Sequence, residues 1–171
     1  MRITAVSFAA FTCLTMLRTL VESLRIQCPM TIHSHDCRCI ALTQLETALR
    51  LYFERCDFFS VITLAGNADE IFGKILKSNG WENSLVKLKE AVAAMHLHLY
   101  DEILPEADVY ERANHARNAI KHGFNVGPAV TFDVEEEAKD MLTRAIDNYW
   151  ALEECMTPSM EKFQRETIAR S

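Results

Sequence analysis

From Ile40 onward the apolar residues recur every three or four positions, and capping residues mark the interruptions in that rhythm. A chain patterned this way closes its core by packing helices against helices. Only 5 glycines and 4 prolines occur in 171 residues, so connections are few, which argues against a sandwich or barrel of many short strands. Residues 40–55 place Leu42, Leu45, Leu49, Tyr52 and Phe53 on one face. Asp57 is the expected N-cap of a second helix, on which Ile62, Ala65, Asp69, Phe72 and Leu76 follow the 3.6 period up to an Asn79-Gly80 stop. Gly66 and Gly73 lie inside it and predict close packing there, since each weakens a helix by roughly 1 kcal/mol relative to alanine. Further helices are expected over about 82–103, from Glu106 to His122, from a cap at Asp133 or Thr131 to about Glu153, and from Thr157-Pro158 onward. The expected fold is an all-α, four- to five-helix up-down bundle with an additional N-terminal segment.

That segment, residues 1–29, is read apart from the bundle at 30–171. An apolar run from Ile3 to Leu17 follows Met1-Arg2 and has the outline of an export signal, but no clear small-x-small cleavage site precedes Arg18. Three readings stand: an amphipathic, loosely attached helix, a weak signal, or sequence translated from a misplaced start codon upstream of Met30. Export is the least favoured, because Cys28, Cys37, Cys39, Cys56 and Cys155 follow Cys13 without the spacing of a disulfide framework. The expectation is reduced thiols in the cytoplasm. Arg18, Glu22 and Arg25 break the one stretch that approaches membrane-spanning length, so no membrane association is expected.

Hydrophobic residues at 49% and charged residues at 25% exclude global disorder. A net charge of −6 excludes coating of nucleic acid by bulk electrostatics, so any such contact needs a local basic patch.

The stretch VYERANHARNAIKHG, residues 109–123, supplies one. At about 100° per residue, Val109, Ala113, Ala116 and Ile120 form a narrow stripe, the buried face. The opposite arc holds Arg117, Lys121, Asn114, Asn118, His122 and His115, with Asn114, Asn118 and His122 stacked four residues apart. Residues 114–122 contain no carboxylate, leaving a cationic and imidazole cluster suited to an anion such as phosphate, which arginine grips with two parallel hydrogen bonds. His122, at the negative end of the helix dipole, is placed to act as a general acid or base near neutral pH. The plain alternative is a solvated helix face without a task. Convergence of the residues beside a Gly-Pro loop weighs against it.

Arg117-Asn118-x-x-x-His122 resembles the R-x4–6-H signature of HEPN domains, in which a polar residue such as asparagine commonly follows the arginine. The segment TLAGNADEIFGKIL, residues 63–76, also resembles a stretch of uncharacterised bacterial members, and the likeness covers roughly residues 40–155. The resemblance implies a metal-independent endoribonuclease without cofactor, acting on RNA and not DNA, in a defence or toxin–antitoxin system. Arg117 would hold the scissile phosphate, Asn118 would orient the phosphate or His122, and His122 would move a proton. Apart from the resemblance, Lys121 and Asn114 on the same helix face, and Asp69, which interrupts the apolar stripe of the second helix and is expected to face this one, are assigned supporting roles. Arg117 and His122 lie about 140° apart on a helix, which favours pairing the arginine of one copy with the histidine of another across a two-fold axis. The family typically forms such homodimers. An antitoxin or a nucleotidyltransferase is the partner class that the family implies. Gly123-Phe124 follows the histidine, where some members carry the tyrosine that such a transferase modifies. The alternative is a catalytically inactive helical module that binds a protein or nucleotide through the same face.

His33, His35, Asp36, Cys37 and Cys39 offer zinc-type ligands without finger spacing, and no metal site is expected. His96 and His98 point about 200° apart and cannot chelate together. Glu70 and Lys74 form an i,i+4 surface pair. Trp81 and Trp150 are expected as core or interface anchors, and Glu135, Glu136 and Glu137 as an acidic first turn.

Overall fold

A computed structural model describes residues 34–123 and 129–169 of the chain. The readings of residues 1–29 and of Phe124 therefore lie outside the described residues. Those described contain seven helices and no strand, an all-α bundle. Most helices begin at the capping residue that the sequence offers. Asp36 accepts from the Arg38 backbone N–H to start α1, Cys37–Glu54, three residues ahead of the expected start at Ile40. Asp57 accepts from Ser60 N–H at the head of α2, Phe58–Ser78. That helix stops at Asn79, and Gly80 takes φ +76, the left-handed turn that glycine adopts without steric cost. Asn83 caps α3, Ser84–Tyr100.

The helix expected from Glu106 to His122 is two helices, α4 (Glu106–Ala113) and α5 (His115–His122), separated at Asn114. Asp133 accepts from both Glu135 and Glu136 N–H to start α6, Val134–Glu153. Thr157 caps α7, Pro158–Ile168, with proline at its first position.

α2 is the central helix, packed along its length against α1 and α6, while α5 lies against it further on. All five residues of its expected apolar stripe are buried, Asp69 included. α1 contributes Ala41, Leu45, Ala48 and Leu49, with Leu42, Tyr52 and Phe53 half-buried at the margin. Leu142 and Ile146 of α6 and Met160 and Phe163 of α7 complete the core. Each such large side chain contributes roughly 1.5–3 kcal/mol through burial. Trp81 and Trp150 stand outside this core, each about half exposed, which corrects their expected role as core anchors. Among the described residues no helix is long and apolar enough to cross a membrane.

Candidate functional site

Ala116 and Ala119 bury one face of α5, and their small side chains let the helix lie close to its neighbour. Asn118, Lys121 and His122 are exposed on the outer side. Arg117 lies between these two faces, its side chain only 15% exposed. What makes room for it is Gly66 of α2. A Cβ at that position would fall 2.7 Å from both Cδ and Nε of Arg117. The close approach that Gly66 predicts is therefore a seat for an arginine stem. Gly73 plays a similar part, its open side filled by the amides of Asn83 and Asn148.

The guanidinium continues along α2. Arg117 Nη2 donates to Glu70 Oε2 at 2.5 Å, and Lys74 Nζ donates to Glu70 Oε1 at 2.6 Å. These two donors, Lys74 first and Arg117 next, hold the Glu70 carboxyl down at about 2. The cluster is therefore not uncompensated, as α5 alone suggests, because the carboxylate comes from α2. In the sequence Glu70 stands out only as the i,i+4 partner of Lys74. Its position one turn beyond Gly66, on the same side of α2, is the signal in the sequence that links it to whatever occupies the glycine seat.

Asn114 and Asp69 belong to a different arrangement. The sequence expectation sets Asn114 on the exposed line with Asn118 and His122, but the structure buries it at the break between α4 and α5. Its Nδ2 donates to Tyr110 O, and its Oδ1 accepts from Arg144 Nη1 at 3.3 Å. Asp69 is likewise buried, and it pairs with α6 instead of bonding to the cationic helix. Its Oδ2 accepts from Arg144 Nη2 at 2.6 Å and its Oδ1 from Asn148 Nδ2 at 2.8 Å. Burial pushes the Asp69 carboxyl above its usual range, while the charges of Arg144 and Arg117 pull the other way. Arg144 also donates to Ala113 O at 2.8 Å, so it fastens the end of α4. Asn148 Oδ1 accepts from Ser84 N–H at 2.7 Å and ties in the start of α3. No sequence signal distinguished Arg144 from a surface arginine.

His122 is the last residue of α5, exposed and followed by Gly123. Along an α-helix the five positions from Arg117 correspond to a rise of about 7.5 Å and a turn of about 140°. His115 is half-buried with its ring edge-on to Phe132. It borders an open cleft of 510 Å³ shared with Asp108, Glu111, Arg112 and Glu137, an acidic setting that Arg117 does not line.

Cys37, Cys39, Cys56 and Cys155 are exposed and unbridged, and His33 lies outside the described residues. Among those described, no three side chains of His, Cys, Asp or Glu converge as metal ligands. His96 Nδ1 donates to Glu102 O at 3.0 Å, with its ring 4.9 Å from that of Tyr100. Comparison of the chain with protein-family models, with curated proteins and with solved structures finds no match.

Proposed function

We propose that this chain is a HEPN-type, metal-independent endoribonuclease that acts as a cytoplasmic homodimer. The observation that carries the reading is the state of Arg117. It is mostly buried, seated on a glycine, and its Nη2 donates to an oxyanion at the edge of the helix pair. That oxyanion is Glu70, a carboxylate that occupies the position a phosphate oxygen would take. An incoming phosphodiester replaces Glu70 at the guanidinium, and Glu70 keeps its bond to Lys74.

Arg117 then stabilises charge developing on the phosphorane oxygens. His122 of the second copy accepts the proton of the ribose 2′-OH as its oxygen bonds to phosphorus. The P–O5′ bond breaks, and the departing 5′ oxygen takes a proton from solvent water, while protonated His122 returns its proton to solvent. The products are a 2′,3′-cyclic phosphate and a 5′-hydroxyl. Exposed Asn118 and Lys121 flank the phosphate chain. Asn114 and Asp69 support the site only through the frame that orients α5. By the same resemblance the activity belongs to a defence or toxin–antitoxin system, with an antitoxin as partner.

A second reading rests on the same pair. Arg117 already has a carboxylate partner within the chain, and in this reading that contact is its whole role, leaving a catalytically inactive module that binds a protein or nucleotide. One experiment separates the two. Purified protein is incubated with RNA in excess chelator, beside Arg117→Ala and His122→Ala. The nuclease reading expects each variant to lose roughly 10²- to 10⁴-fold in rate. Wild type that cuts no faster than the variants leaves the module.

A further inference from the structure

We propose that Glu70 is a built-in competitor for the Arg117 guanidinium, an internal anion that a phosphate must displace before it binds. The inference rests on the reading of Arg117 as the phosphate contact, and it adds a restraint on which anions gain entry.

Two successive carboxylates of α2 meet two arginines, and the pairs differ in what holds them. Asp69 and Arg144 have side chains only 8% and 9% exposed, and Asn148 secures the second carboxylate oxygen. Opening that pair would strand charge in the interior, so it is a fixed joint. In the Glu70 pair only the arginine is held. The Arg117 side chain is 15% exposed with its stem against Gly66, whereas Glu70 is 41% exposed and its other partner, Lys74, is 74% exposed. Lys74 lies one turn along the same helix. A carboxylate that leaves Arg117 therefore turns outward with its ammonium still bound and with water at the vacated oxygen. Exchange of the anion strands no charge, and the member that yields is Glu70.

The Glu70 carboxyl sits at about 2, so near neutral pH the chain itself supplies an anion to Arg117. Tethering gives that carboxylate an effective concentration in the millimolar range or above. A phosphodiester carries one negative charge, as a carboxylate does, so a single phosphate group gains little by the exchange. A nucleotide chain differs, because exposed Asn118 and Lys121 on α5 meet its neighbouring phosphates and raise the local concentration of the one that enters. Glu70 weakens every ligand of Arg117 by the same factor, the reciprocal of the fraction of time the guanidinium is open. That factor keeps single phosphates out while a polymer still binds.

The test is binding of a short RNA that carries a 2′-methoxy group on every ribose and so cannot be cleaved by its own 2′-oxygen. Its dissociation constant is measured by fluorescence anisotropy at fixed ionic strength in excess chelator, with inorganic phosphate as competitor. Glu70→Gln is expected to tighten the RNA about fivefold, the weight of a partly exposed ion pair, and to lower the inhibition constant of phosphate by the same factor. Glu90→Gln removes the same unit of charge at an exposed position on α3 and should change neither constant by more than about twofold. Arg117→Ala should abolish the gain from Glu70→Gln. Lys74→Met should weaken wild type about threefold, since a displaced Glu70 then has no partner, and leave Glu70→Gln nearly unchanged.

Binding by Glu70→Gln that is no tighter than wild type overturns the competitor, as does a gain that survives Arg117→Ala. An equal loss from Lys74→Met in both backgrounds would set the ammonium on the phosphate itself and overturn the exchange. The nuclease reading is tested separately with ordinary RNA. Tighter binding by Glu70→Gln without cleavage of that RNA keeps the competitor and removes the nuclease. Cleavage that depends on Arg117, with Glu70→Gln binding as wild type does, keeps the nuclease and removes the competitor.

Discussion

Arg144 is 7% exposed, and a guanidinium in that position persists because Asp69, Ala113 O and Asn114 Oδ1 all accept from it. Arg144→Met leaves the Asp69 carboxylate buried without its counter-ion and should cost about 3–5 kcal/mol in urea denaturation. Adding Asp69→Asn should return part of that loss, since the two sites are coupled. Glu70 makes a prediction about pH. Its carboxyl sits near 2 in the folded protein against an ordinary 4.5, so the ionised form favours folding. That contribution is complete somewhat above pH 4.5 and fades as pH falls towards 2. The Glu70 side chain is 41% exposed, and solvent screening limits the contribution to about 1 kcal/mol or less. Measured by urea midpoint, the gap between wild type and Glu70→Gln should be widest above pH 5 and close by pH 2. A gap that persists at pH 2 would assign the difference to packing and not to charge.

At the scale of elements, caps and stripes were legible in the sequence. Asp57, Asn79-Gly80, Asp133 and Thr157-Pro158 mark helix ends where they were expected. The stripe on α2 is buried throughout, because local hydrogen bonds and a 3.6 period are written into adjacent residues. The break at Asn114 was not legible. Residues 106–122 keep a helical pattern across it, and what holds Asn114 in place is Arg144, 30 positions away. Glu70 was hidden for the same reason, since its contact with Arg117 spans 47 positions.

Gly66 joins the two kinds of information, being visible as an oddity in a helix but explained only by Arg117. Gly66→Ala should gain helix propensity of about 1 kcal/mol and lose a comparable amount by displacing the arginine stem. The melting temperature should then shift by only a few degrees. Cleavage, if the proposed mechanism holds, should fall at least about tenfold, because a misplaced guanidinium no longer meets the phosphate. Unchanged cleavage in Gly66→Ala would detach the seat from the chemistry.

For the whole molecule, helical class followed from the pattern of the sequence, while assembly depends on surfaces that one chain only half defines. Under the proposed mechanism the wide separation of Arg117 and His122 on α5 leaves the site incomplete within one protomer. Composite sites have a property that can be tested by mixing. In a two-fold dimer each site takes its arginine from one copy and its histidine from the other. Arg117→Ala and His122→Ala are each inactive as homodimers under the proposed mechanism. Co-expressed in equal amount, they form a heterodimer in which one site has lost both groups and the other retains both. Half of the dimers are then heterodimers with one working site of two, so the mixture should cut RNA at about one quarter of the wild-type rate. A site built within a single chain behaves differently, because every protomer in the mixture lacks one group and no exchange restores it. An inactive mixture, with heterodimers verified by differently tagged subunits, would therefore place the arginine and histidine of each site in the same chain.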